Sequence, residues 1–136
     1  MPLERALPKL LERAVEAGFR VVVMAGSKER VEQLDAALWT YDDASFLPHG
    51  SARDGHPGRQ PIWLTTEDEN PNGATLLVTV DGVRSVRSGE YQRCLDMFDG
   101  SDDSVAAARE RWKEAKAAGH TLTYWQQTDK GWEQKA

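Results

Sequence analysis

The chain has a single cysteine, Cys94, in 136 residues, which excludes an internal disulfide and a cysteine-based zinc site and is consistent with a reducing compartment. Long apolar runs are missing too: none approaches the ~18 residues needed to cross a bilayer. The amino-terminal MPLERALPKLLER mixes acids with bases, unlike a secretory signal, so a soluble, cytoplasmic protein is expected. Positive charge is in deficit, with 17 Lys and Arg against 22 Asp and Glu and a net charge of −5. That balance argues against a general nucleic-acid binder, which works by neutralising phosphates. Neither GxGxxG nor GxxxxGK[ST] occurs. No repeat, low-complexity tract or linker divides the chain, and one α/β domain over residues 1–136 is the expected organisation.

What is present is an alternation of helical and extended patterns. Leu3, Leu7, Leu10, Leu11, Ala14 and Val15 recur at helical spacing and Gly18 supplies a stop, so a helix is expected over residues 3–17. RVVVMA (residues 20–25) is too uniformly apolar for a strand with a solvent face. It leads through Gly26-Ser27 into SKERVEQLDAALW, with Ser27 as helix cap. After a loop over residues 39–60, strands are expected at 62–65 and 75–80, separated by the breaker ENPNG. YQRCLDMF (91–98) reads as a strand, DGSDDS as the cap of a helix over 103–118, and TLTYWQQ with residues 131–134 as a closing hairpin around Asp129-Lys130-Gly131. DGVRSVRSGE (residues 81–90, Asp81 to Glu90) is polar enough for a loop. The sum is a three-layer, Rossmann-like α/β fold whose mostly parallel sheet carries helices on both faces.

Three places could carry chemistry. Gly26-Ser27 joins a strand to a helix start, where free N–H groups and the helix dipole favour a phosphate; an ordinary capped turn explains the same residues. Asp96, Asp99, Asp102 and Asp103, with His49 elsewhere, suggest a divalent-metal nuclease. Acids at a helix start, with Asp96 pointing out of a strand, account for that cluster without a metal, and His49 reads as a hydrogen-bonding residue of a Pro-His turn. The third place is ARERWKEAK (residues 108–116). Arg109, Lys113 and Lys116 share one helical face beside the apolar stripe of Val105, Ala108, Trp112 and Ala115. Arg109 then faces Lys113 and Glu110 faces Glu114, like-charge pairs that cost ~0.2–0.5 kcal/mol each, partly offset by Glu110–Lys113 and Arg111–Glu114. A solvated amphipathic face and a cationic rim for a peptide ending in an apolar residue and a carboxylate are both open.

LDAALWTYDDASFLPHG (residues 34–50) places Trp39, Tyr41 and Phe46 among acids in a segment that Pro48 and Gly50 keep from being a helix or central strand. Aromatic rings in such a loop suggest a partner surface. This segment, ARERWK and the G-H-x-L-x-Y-W ending together resemble the chi subunit of bacterial DNA polymerase III. The similarity runs from Leu3 over nearly the whole chain, and DMFDGSDD, WKEAKAAGH and TYWQQ resemble the alphaproteobacterial branch. The combination of L-D-x-x-L-W, S-F-x-P-H and A-R-E-R-[aromatic]-K is far more specific than any part of it.

The resemblance implies a non-catalytic accessory of the clamp-loader assembly, without cofactor or metal. It would tie the replicase to single-stranded DNA-binding protein by gripping that protein's acidic C-terminal tail, which in the family ends in Pro-Phe. Association with single-stranded DNA would then be indirect. Phe98, Arg109, Trp112 and Lys113 match the family's tail site. Trp39 and Phe46, with Pro48 nearby, match a second surface for a psi-like subunit, a clamp-loader component or a helicase. Family members begin with a short x-F-Y-H-L strand, whereas this chain starts at MPLERAL, so the expected sheet lacks the family's first strand. The alternative is a small nucleotide- or phosphate-binding α/β enzyme using Gly26-Ser27, with the metal nuclease third.

Overall fold

The computed structural model describes residues 3–40, 49–51, 58, 60–85, 88–98, 101–117, 122–128 and 131–134. In chain order these form α1 (Leu3–Glu16), β1 (Val21–Met24), α2 (Lys28–Thr40), β2 (His49–Ser51), β3 (Ile62–Thr65), β4 (Leu76–Thr79), a short 3-10 turn (Ser88–Glu90), β5 (Arg93–Phe98), α3 (Asp102–Ala117), β6 (Leu122–Thr128) and β7 (Gly131–Gln134). The seven strands among the described residues make one sheet in the order β2-β3-β1-β4-β5-β6-β7. Only the β6–β7 pair is antiparallel. The expected α/β architecture with a mostly parallel sheet is therefore what the chain adopts.

The uniform VVVM pattern of β1 is explained by its place. Val21 pairs with Ile62 on one side and Leu76 on the other, so both edges of the strand are filled. Val21 and Val23 face Leu7, Leu11, Leu34 and Leu38 of α1 and α2, while Val22 and Met24 face the opposite layer with Trp63, Leu77 and Cys94. Two-sided burial of this kind leaves no polar position in the strand. A single fully buried leucine such as Leu7 or Leu11 contributes about 1.5–3 kcal/mol relative to exposure. At the end of α1 Gly18 has a φ of 91°, and the Gly18 and Phe19 N–H groups return to the Val15 and Ala14 carbonyls, each at 3.0 Å. That is a Schellman closure, which favours glycine at the left-handed position.

The second face is covered in two ways. Beside β1 and β3 it carries a loop pinned by Glu69, whose Oε1 accepts from Trp63 Nε1 (2.9 Å) and Thr65 Oγ1 (3.0 Å) and whose carbonyl accepts from the Tyr91 hydroxyl (3.2 Å). Beside β5 and β6 it carries α3, resting on Phe98 and Tyr124 through Ala108. Helices thus lie on both faces, α1 and α2 on one and α3 on the other.

One expectation needs correction. Residues 39–60 were expected to be loop throughout, yet α2 continues to Thr40 and His49–Ser51 form the edge strand β2, parallel to β3. Three residues containing a glycine carry too little periodic signal to be read as a strand. Its partner supplies the order: parallel pairing with β3 makes these residues a strand, and a Cβ on Gly50 would lie 2.7 Å from the flexible Gln60 side chain, which would have to move to make room.

The amino ends of the central strands are tied by a polar clamp. Arg20 donates through Nε to the Asn72 carbonyl (2.6 Å) and through Nη2 to the carbonyls of Gly58 (2.9 Å) and Gln60 (3.1 Å). The buried Asn72 amide donates to the carbonyls of Val21 (3.1 Å) and Gln60 (2.9 Å). Asn72→Ala removes the side-chain donor to the Val21 carbonyl and one of the two donors to the Gln60 carbonyl, and is expected to lower stability by about 1–3 kcal/mol, measured by denaturant titration. Burial pushes the Cys94 thiol from its ordinary 9.0 up to about 11. Native protein should therefore resist thiol reagents at pH 8 and react only on unfolding; fast labelling without denaturant would contradict this packing.

Candidate functional site

The site at α3 starts with its cap. Ser101 Oγ accepts from the Ser104 N–H at 3.2 Å and its carbonyl from the Val105 N–H at 2.9 Å, while Asp102 and Asp103 occupy the first turn next to the positive end of the helix dipole. Parallel pairing of β5 with β6 sets Asp96 opposite Tyr124 and Phe98 opposite Gln126. Alternation along the strands turns these four towards α3. Between this floor and the helix lies a cavity of about 460 Å³. Phe98, Tyr124 and Gln126 line it from the sheet, and Val105, Ala108, Arg109 and Trp112 from the helix. The Phe98 and Tyr124 rings meet edge to face with centroids 6.1 Å apart.

Three of the four residues matched to a tail site are therefore brought together. Trp112 is 37% exposed, and Lys116 Nζ stands 4.8 Å from its ring centroid, a cation–π contact. Arg109 is exposed and makes no ion pair among the described residues. Lys113 does not line the cavity; its Nζ lies 3.5 Å from Glu110 Oε1 on the outer face. Tyr124 and Gln126 were missed by the sequence reading. Period-two alternation in TLTYWQQ separates them from Trp125, but only the β5–β6 register shows that they floor the same cavity as Phe98.

Asp96 and Arg111 also require correction. Asp96 does not point outward and Arg111 does not pair with Glu114: Arg111 Nε donates to Asp96 Oδ2 at 2.5 Å, with side chains only 7% and 2% exposed. Glu114 instead meets Arg84 Nη1 at 2.5 Å. Burial raises the Asp96 carboxyl above its ordinary value, and the hydrogen bond and charge of Arg111 partly oppose that shift. An aspartate inside the apolar pattern of 94–98, and an arginine three residues after Ala108 on the buried stripe, were the available signals. With Asp96 committed to Arg111, and Asp102 and Asp103 at the helix start, no three metal-ligating side chains converge among the described residues. Asp99 lies outside those residues.

The turn at Gly26-Ser27 caps α2 through Ser27 Oγ, which accepts from the Arg30 N–H at 3.1 Å. The place a phosphate would take is filled by the chain itself. Asp81 Oδ2 accepts from the Gly26 N–H at 3.2 Å, and Asp81 Oδ1 accepts from Arg30 Nε at 3.2 Å. Asp81 and Gly82 hold φ values of 59° and 75°, the left-handed pair of a tight turn after β4. A larger cavity of about 690 Å³ opens here at the carboxyl ends of the strands, with Arg30, Asp81, Arg111 and Phe98 in its wall. Both of its arginines are already paired with aspartates.

At the other edge of the sheet Trp39, near the end of α2, is 58% exposed. Its ring meets His49 of β2 at 5.0 Å and 63°, and His49 Nε2 lies 3.0 Å from Asp35 Oδ1. Tyr41, Phe46 and Pro48 lie outside the described residues.

A family model described as DNA polymerase III chi subunit, HolC, matches residues 1–123. A Rickettsia prowazekii (strain Madrid E) protein named "Probable DNA polymerase III subunit chi" is 38% identical over 76 residues, covering 56% of this chain and 46% of that protein. The Escherichia coli (strain K12) DNA polymerase III subunit chi is 23% identical over 121 residues, 88% of this chain and 82% of that protein. The matched part thus spans just under half the length of the Rickettsia relative.

The carboxylate in the α2 cradle generates a direct test. Asp81→Ala removes acceptors for Gly26 and Arg30 at a left-handed position and should cost about 1–3 kcal/mol. Millimolar phosphate should leave the melting temperature of the unmodified protein unchanged; a clear rise would mean that the cradle takes an outside anion.

Proposed function

Because the chain belongs to the DNA polymerase III chi subunit family, whose members are accessory subunits of a replicative polymerase, we propose that it is a non-catalytic adaptor that grips the acidic C-terminal tail of single-stranded DNA-binding protein. One observation carries this reading: Arg109, exposed and without an ion pair among the described residues, stands at the wall of an apolar cavity floored by Phe98 and Tyr124. A chain end that finishes in an aromatic residue presents a ring and a carboxylate a few ångströms apart. The cavity offers a complement to each. Trp112 adds a second ring face, and Lys116 above it adds positive charge for upstream aspartates.

In this reading the acidic net charge is no obstacle. The partner is an acidic protein tail met by a local cationic rim, and contact with single-stranded DNA is indirect. The exposed Trp39 offers a separate surface for a clamp-loader component, a psi-like subunit or a helicase; Phe46 and Pro48, matched to the same role, lie outside the described residues. Such an adaptor works in the cytoplasm as one domain, and no helix among the described residues is long and apolar enough to cross a membrane.

The test is a titration with a fluorescent peptide ending in Asp-Ile-Pro-Phe. Binding of about micromolar strength is expected, weakening with added salt. Arg109→Ala and amidation of the peptide carboxylate should each reduce affinity about tenfold or more, since a charge-assisted contact contributes roughly 1.5–3 kcal/mol. Lys113→Ala should change it less than about threefold, because that ammonium is exposed and paired to Glu110. Trp39→Ala should leave peptide binding intact while weakening capture of the other subunit. No peptide binding at low salt would reject the adaptor reading.

A further inference from the structure

Helix α3 has 16 residues, yet its buried side chains are only Ala108 and Arg111. Such a helix has little apolar area with which to fix its rotation or its position along the sheet. The Arg84–Glu114 pair at its outer side is more than half exposed and adds little directional hold. Besides the small apolar contact of Ala108 and Val105 with Phe98 and Tyr124, what remains is the contact between Arg111 and Asp96, the one ion pair among the described residues with both side chains more than nine-tenths buried.

The position of this pair in the sequence links it to the cavity. Arg111 adjoins Trp112 on α3 but, about 200° round the helix from Arg109, it turns to the sheet and does not line that cavity. Asp96 precedes Phe98 by two residues on the same face of β5 and lies opposite Tyr124 in the register, next to the cavity floor but outside its lining. The pair therefore joins the helix that carries Arg109 and Trp112 to the strand that carries Phe98. It is also a poor choice for stability alone: Asp96 Oδ1, Arg111 Nη2 and the Tyr124 hydroxyl are buried without a hydrogen-bond partner among the described residues. Burying charge with unsatisfied atoms is costly, and apolar side chains of similar volume often serve as well or better.

We propose that Arg111 and Asp96 are positioning residues, a buried pin that sets α3 on β5 so that Arg109 and Trp112 stand at the spacing a terminal carboxylate and its ring require. This rests on the tail-binding reading above for the identity of the ligand. The pin acts through Arg109 and Trp112 and has no contact with the peptide itself.

The decisive variant replaces both charges, Asp96→Leu with Arg111→Met. Denaturant titration should show stability equal to or above that of the unmodified protein, while affinity for the Asp-Ile-Pro-Phe peptide falls at least tenfold and its preference for a free carboxylate over an amide is lost. Unchanged affinity and carboxylate preference in a folded double variant would overturn the proposal. If that variant does not fold, Arg111→Lys keeps the charge but loses the guanidinium geometry; at least fivefold weaker binding is expected, and undiminished binding overturns the pin. If the unmodified protein ignores the peptide, the identity of the ligand fails separately. Positioning is then read by NMR from the contacts of Ala108 with Phe98 and Tyr124, which should shift in the folded charge-altered variant and overturn the proposal if they do not.

Discussion

The two-sided parallel pairing of β1 is the constraint from which the rest of the architecture follows. Four residues, Val21–Met24, have neighbours on both edges and packed layers on both faces. Parallel neighbours need crossover connections, and those connections lie on the faces of the sheet. One face receives α1 and α2, and the other receives α3 and the Glu69 loop. Trp39 consequently lies at the β2 edge, while Arg109 and Trp112 lie over β5 and β6 towards the opposite edge. The two exposed tryptophans, Trp39 and Trp112, are thereby set apart along the sheet.

Internal use of arginine distinguishes this chain from a simple charged surface. Arg20 donates to backbone carbonyls, Arg30 to Asp81 and Arg111 to Asp96. Each joins segments far apart in sequence at a point where the sheet exposes main-chain or carboxylate oxygens. A guanidinium suits that work, because its several N–H groups point in fixed directions and it stays charged when buried. Arg109, exposed at the cavity wall, makes no such pair among the described residues. The difference between Arg109 and Arg111 is two positions on a helix, a rotation of about 200°.

Much of the fold was legible. The leucine spacing of α1, the VVVM core strand, the Ser27 cap, IWLT and the closing hairpin all express local rules of periodicity and turn chemistry. The family was legible as well, from L-D-x-x-L-W with A-R-E-R-W-K, and the match over residues 1–123 bears it out. What could not be read was pairing at a distance. β2 is ordered by its parallel pairing with β3, and the Gly26 cradle is filled because Asp81 follows β4, the strand beside β1. Neither fact has a local signature.

The candidate site shows the same division. The sequence by itself determined the helix, its cationic face, the aromatic beside it and Phe98 at a strand end, since those depend on spacing along one element. Only the tertiary structure decided that Phe98 and Trp112 share a cavity with Tyr124 and Gln126, that Lys113 lies outside it, and that Asp96 and Arg111 are joined beneath it. Parallel strands carry no turn that fixes their register, so the partner across the sheet is set by packing of the whole domain.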